Sequence, residues 1–213
     1  MLPPLTPDLP LHALGEVLRA LNLLGLALFA VSGALVAARQ RLDIVAACFF
    51  AILAATGGGT LRDLLIGAPV FWMHDALPLV ICLIVAAVVW PMPLRWWPTA
   101  ALDWFDAAGL AAYSVYGTGK ALGYGIPPLP AAAMGVVTAC AGGVLRDVVA
   151  NVPSILLRNE LYITAAMLAA GTFAGLVSLG VPTGMASCTG AAAGFALRGA
   201  AIRWKLTLPF RRE

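Results

Sequence analysis

The chain has 213 residues, 62% hydrophobic and only 11% charged, with a net charge of +3 and a mean hydropathy of +0.93. A soluble domain carries about a quarter charged residues, so this composition excludes one and places the chain in a lipid bilayer. The cations crowd one end, as Arg198, Arg203, Lys205, Arg211 and Arg212. They read as a cytoplasmic anchor under the positive-inside rule rather than as a nucleic-acid patch.

A spanning helix needs about 20 apolar residues, and seven segments qualify as candidates. Met1 to Pro10 is a proline-rich lead-in without the basic start of a signal peptide. The first helix is predicted over 14–38 and ends at Arg39-Gln40-Arg41. The second runs from Asp43 to Gly57, and the third covers 76–90 before Pro91-Met92-Pro93. The fourth spans 103–122. The fifth follows Pro127-Pro128 and reaches Ala141. The sixth covers 160–179, and the seventh follows Pro182 and ends near Arg198. The second and fifth run into glycines after a short apolar stretch and then resume. Glycine permits unusual backbone geometry, so a break inside the membrane is expected at Gly57-Gly58-Gly59 and at Ala141-Gly142-Gly143.

Those two segments share a motif. Gly58-Gly59-Thr60-Leu61-Arg62-Asp63 recurs as Gly142-Gly143-Val144-Leu145-Arg146-Asp147, 84 positions later, with Pro69 and Pro153 behind the two copies. Gly25/Gly109, Leu26/Leu110, Ala27/Ala111, Val31/Val115, Gly33/Gly117 and Leu77/Leu161 hold the same register, which marks an internal repeat. Three helices per copy is an odd number, so the second copy enters the membrane inverted relative to the first. The expected fold is all-α and polytopic: seven transmembrane helices as a 3+3 inverted repeat plus one. The chain is read as a single membrane domain over 1–213, with repeats at 14–93 and 103–179 and a seventh helix at 183–202. The seventh is rich in small residues, which suits close packing or oligomerisation. With the N-terminus outside and the C-terminus cytoplasmic, Arg39, Arg41, Arg95, Arg146, Arg158 and the five C-terminal cations lie inside. Only Arg19, Arg62 and Lys120 lie outside or near it.

Charge within a membrane is costly and is normally paired or turned to water. Arg62 with Asp63 and Arg146 with Asp147 therefore either brace a path between the repeats, or snorkel to the headgroups and cap helix ends. The glycines either expose carbonyls that replace water around a cation, or permit a tight helix crossing. Thr56, Thr60 and Thr138 add hydroxyls nearby. Tyr113, Tyr116 and Lys120 share a face of the fourth helix; they are read either as a constriction with a movable charge or as an interfacial anchor. Trp90, Trp96, Trp97 and Trp104 form an aromatic belt, with Trp72 and His74 at the other surface. Cys48, Cys82, Cys140 and Cys188 lack metal-ligand spacing, and His12 and His74 lack metal partners. No nucleotide-binding or hydrolase motif occurs. Ser32 and Asp43 are the nearest thing to a reactive pair. No enzyme activity, metal or cofactor is expected.

The doubled Gly-Gly-x-Leu-Arg-Asp motif with Pro69 and Pro153 resembles bacterial members of the trimeric intracellular cation (TRIC) channel family, over most of the chain from Gly25 onward. The resemblance implies a homotrimer in the bacterial inner membrane with one pore per protomer, lined by the second and fifth helices and passing K⁺ and also Na⁺. It implies pore roles for Gly57, Gly58, Gly59, Arg62, Asp63, Ala141, Gly142, Gly143, Arg146 and Asp147, and a basic gating role for Lys120. Animal members carry a Lys-Glu-Val signature, linked to phosphoinositide lipid, where this chain has Thr60-Leu61-Arg62-Asp63. Lipid-controlled gating is therefore not carried over, although bound lipid is compatible with the fold. The expected function is a passive K⁺-permeable channel. The alternatives are a secondary transporter of a small amino acid on the same inverted repeat, and a membrane assembly protein without flux.

Overall fold

The computed structural model describes residues 15–157 and 160–207. Seven long helices carry the fold: α1 (Glu16–Arg39), α2 (Ile44–Leu65), α3 (Leu77–Val89), α4 (Ala101–Gly123), α5 (Pro128–Val149), α6 (Ile163–Ser178) and α7 (Thr183–Trp204). A single helical turn, Phe71–His74, precedes α3, and a 3₁₀ turn, Ile155–Leu157, follows α5. By length and composition α1, α2 and α5 suffice to cross a membrane, while α3 and α6 are apolar but shorter. The Pro-rich lead-in, His12, Arg158, Arg211 and Arg212 lie outside the described residues.

Helix limits follow local chemistry. The Asp43 carboxylate caps α2 by accepting from the Ala46 N–H at 2.8 Å. Pro128 opens α5 at its first position, where no N–H is needed. The ends of α2 and α5 are copies of each other. Gly67 (φ 69°) and Asn151 (φ 51°) take the left-handed conformation. Ala68 N–H then returns to Asp63 C=O at 2.8 Å, and Val152 N–H to Asp147 C=O at 3.0 Å. These closures satisfy carbonyls that a helix end leaves open, and the two prolines follow.

The break expected at the glycines is absent: helical structure runs through Gly57-Gly58-Gly59 and through Ala141-Gly142-Gly143. Glycine inside a helix costs up to about 1 kcal/mol, and the close packing of α2 on α5 offsets that cost. A Cβ on Gly58 would overlap the Thr138 carbonyl, and one on Gly142 would overlap the Ala54 carbonyl. The two contacts exchange under the 84-residue offset, so the antiparallel α2–α5 crossing lies on the pseudo-two-fold axis. A second pair of contacts obeys the same rule. A Cβ on Gly25 would strike the Tyr113 ring and one on Gly109 the Phe29 ring. Phe29 and Tyr113 are repeat equivalents and stack with centroids 5.3 Å apart.

α4 is the most enclosed helix, buried almost continuously from Ala107 to Ala121 and packed on α1, α5, α6 and α7. α7 lies against α6 and α4. Its Gly190 and Gly194 face Ala169 on α6, so this pair of small residues serves packing inside the protomer. Arg198 departs from the expected C-terminal anchor. It is completely buried, ion-paired to Glu160 at 2.8 Å, with its guanidinium 5.2 Å from the Tyr162 ring centroid. Cys48, Cys82, Cys140 and Cys188 are free thiols, the last of them exposed.

Gly58→Ala and Gly142→Ala are each expected to push the crossing apart, at about 1–3 kcal/mol for overpacking. The readout is a lowered melting temperature in detergent. Gly175→Ala on α6, where an added methyl meets nothing within 4 Å, serves as the control and leaves that temperature unchanged or raises it.

Candidate functional site

Six residues of α2 beyond the crossing centre lead to Arg62, and six of α5 lead to Arg146. At 1.5 Å per residue each arginine lies about 9 Å along its helix from the crossing. The helices are antiparallel, so the two charged clusters sit at opposite ends of the seam.

The first cluster is built on Asp63, fully buried. Its Oδ1 accepts from Arg62 Nε at 2.8 Å and from Lys120 Nζ at 2.8 Å. Its Oδ2 accepts the Phe71 N–H at 3.1 Å. Arg62 is itself 1% exposed and lies over the Tyr116 ring at 5.1 Å. Tyr113, one turn back on α4, donates its hydroxyl to the Ala55 carbonyl at 2.9 Å. Tyr113, Tyr116 and Lys120 thus turn inward onto α2 and its charged pair, and none of them is at an exposed surface.

The second cluster repeats the design. Asp147 Oδ1 accepts from Arg146 Nε at 2.8 Å, and its Oδ2 accepts the Ile155 N–H at 3.0 Å. Phe71 and Ile155 are again 84 apart. Arg146 also reaches Ser32 Oγ at 2.8 Å and Asp106 Oδ1 at 3.1 Å. Ser32 and Tyr116 are the same repeat position, so each arginine meets the same neighbour in the opposite half. Tyr162 places its hydroxyl beside the Asp106 carboxylate and its ring beneath Arg198.

The polar groups between the clusters are internally bonded. Thr56, Thr60 and Thr138 each donate to the carbonyl four residues back, at 2.8, 2.8 and 2.6 Å. Thr60 also accepts from Trp72 Nε1 at 2.9 Å. Gly57 faces Leu145, Gly59 faces the Phe71 ring, and Gly143 lies against Tyr162 and Asp106. Ala141 lies on α5 between Cys140 and Gly142. Ser32 and Asp43 serve separate tasks, one on Arg146 and the other as a helix cap. No grouping of His, Cys, Asp and Glu among the described residues suits a metal.

Sequence reasoning missed Asp106, Glu160, Tyr162 and Arg198 as parts of the second cluster. Asp106 did carry a signal, being a carboxylate inside an apolar span. The partnership of Tyr162 with Arg198 carried none, because it is made only by folding.

The family model described as glycine transporter matches residues 19–93 and 103–178, two blocks that coincide with the two repeats. A UPF0126 membrane protein of Vibrio cholerae is 38% identical over 91% of this chain and 82% of its own length. The UPF0126 inner membrane protein YadS of Escherichia coli K12 is 37% identical over 89% of this chain and 93% of its own. The TRIC trimeric intracellular cation channel orthologue from Rhodobacter sphaeroides superposes with a TM-score of 0.84. It is 40% identical over 90% of this chain and 100% of that one. This chain belongs to the TRIC family. A second prokaryotic TRIC channel, solved in 0.5 M KCl, superposes at 0.83 with 25% identity over 90% of this chain and 98% of that one. The TRIC fold and the glycine-transporter description therefore attach to the same pair of repeats.

Removing one partner of a buried ion pair strands the other, at about 3–5 kcal/mol. Asp63→Ala and Asp147→Ala are each expected to cost that much in detergent unfolding. Asp43→Ala, which loses only an exposed cap, costs about 1 kcal/mol.

Proposed function

We propose that this chain is a passive cation channel of the inner membrane, permeable to K⁺ and Na⁺, with one path in each protomer of a homotrimer. The observation that carries this reading is the placement of two buried charged clusters at opposite ends of one pseudo-symmetric crossing, on a fold shared with TRIC cation channels. The path is the seam between α1, α2, α4 and α5. It is closed here by the contacts of Gly58 with Thr138 and Gly142 with Ala54, and by the Phe29–Tyr113 stack. Arg62/Asp63 and Arg146/Asp147 brace the helix ends, while Thr56, Thr138 and backbone carbonyls near Gly57, Gly58, Gly142 and Gly143 supply the polar lining once water enters. Selectivity among monovalent cations is modest, because no ring of carbonyls is preorganised to replace an ion's hydration shell. No step calls for a reactive group or cofactor, so the reading is not enzymatic. The orientation has the N-terminus outside and the C-terminus cytoplasmic, as the cation asymmetry favours.

Lys120 ties α4 to α2 through Asp63 at 2.8 Å, and this contact is the latch in the proposal. A charge moving through the membrane field contributes about 2.3 kcal/mol per 100 mV. Lys120→Gln is expected to raise open probability and flatten its voltage dependence.

The glycine-transporter description of the family model supports a second reading, in which the same repeat rocks to carry a small amino acid. Purified protein in planar bilayers under a K⁺ gradient separates the two. Unitary current steps reversing toward the K⁺ potential are the expected result. Electrical silence together with saturable glycine uptake into liposomes would overturn the channel in favour of the carrier.

A further inference from the structure

The two motif clusters share one frame, an Arg-Asp pair bonded to a backbone N–H eight residues on, but they differ in charge. The first adds a cation, Lys120, to its Arg-Asp pair; the second adds a carboxylate, Asp106. The repeat equivalents of these additions are uncharged, Val36 for Lys120 and Asn22 for Asp106. Asp63 therefore has two cations, whereas the single cation Arg146 is shared by Asp147 and Asp106. Asp106 is 1% exposed, and its Oδ2 has no hydrogen-bond partner among the described residues.

Each element packed around Asp106 has a defined contribution. α5 presents Arg146, Asp147 and the Cys140 thiol. The start of α6 presents the Tyr162 hydroxyl, a neutral donor that brings no compensating charge. α1 presents Ser32, which is already held by Arg146. Arg198 of α7 is paired with Glu160 and stacked on Tyr162. On α4 itself, Asp103 is another carboxylate. The buried group is one positive charge short, and a buried carboxylate in that state takes up a cation or a proton.

We propose that Asp106 is an exchangeable cation site at the second-motif end of the path, held by a proton in this closed packing and by the permeant cation when the seam is wet. The site rests on the channel reading only for its second occupant. A proton requires no room, which suits a carboxylate enclosed by Gly143, Tyr162 and Arg146. Opening the seam admits water and a K⁺ ion, and the proton leaves to water as the ion arrives.

Two measurements on the purified full-length protein in lipid test this. Infrared difference spectra read protonation without any need for flux. The carbonyl stretch of a protonated carboxylic acid is expected at neutral pH in the wild type and is lost in Asp106→Asn, a variant that keeps the side-chain volume and an acceptor for Arg146. Absence of that band in the wild type, or its persistence in Asp106→Asn, would overturn the proton site. In bilayers, acidifying the second-motif side alone is expected to lower wild-type K⁺ current several-fold, with the midpoint moving to lower pH as K⁺ is raised. Asp106→Asn should carry less current with no pH response, while Asp106→Glu restores the response. A pH response unchanged in Asp106→Asn would overturn the exchange. A silent bilayer would remove the channel reading and the permeant-ion occupant with it, leaving the infrared result to decide the proton site.

Discussion

The close approach of two helix backbones, with no side chain between them, is the constraint around which this protein is arranged. α2 and α5 meet where Gly58 lies on the Thr138 carbonyl and Gly142 on that of Ala54. No residue larger than glycine fits at either contact. In lipid there is little hydrophobic drive between helices, so proximity of this kind, with its dispersion contacts, is what holds them together. The crossing in turn fixes the positions of Arg62 and Arg146 and brings each beneath the opposite repeat, where Tyr116 and Ser32 receive them.

The charged residues complete what the crossing begins. Each motif aspartate binds its neighbouring arginine with one oxygen and a backbone N–H eight residues downstream with the other. That arrangement neutralises a buried guanidinium and satisfies the chain just past a helix end, which explains why the arginine, the aspartate and the following proline recur together. α7, outside the repeat, also touches α1, but its buried charge extends the second cluster: Glu160, Arg198, Tyr162 and Asp106 form a continuous polar chain from α7 to Arg146.

Much of this was legible in the sequence. Seven helices, their inverted pairing and the Arg-Asp pairs follow from hydropathy and an 84-residue register, because membrane burial writes long apolar runs and duplication writes a period. That Tyr113, Tyr116 and Lys120 share one face followed from helical spacing; that the face turns inward rather than to the interface did not, because it depends on where α2 lies. Nor did the conformation at the glycines. Glycine relaxes the backbone and also permits close approach, and only the presence of a partner helix decides which property is used. Arg198 was misplaced for a related reason: a basic residue near a basic tail reads as an anchor until Glu160 and Tyr162, distant in sequence, are brought to it. Asp106 was visible as a carboxylate in an apolar span, but its charge deficit emerges only when both clusters are compared in three dimensions.

The bonds from Asp63 to Phe71 and from Asp147 to Ile155 have a mechanical consequence. They weld each crossing helix to the segment that follows it. The helix end and that segment therefore move as one body, anchored at Phe71 in the first half and at the buried Ile155 in the second. A displacement of either segment is carried to its helix end, and so toward the crossing, without anything entering the seam.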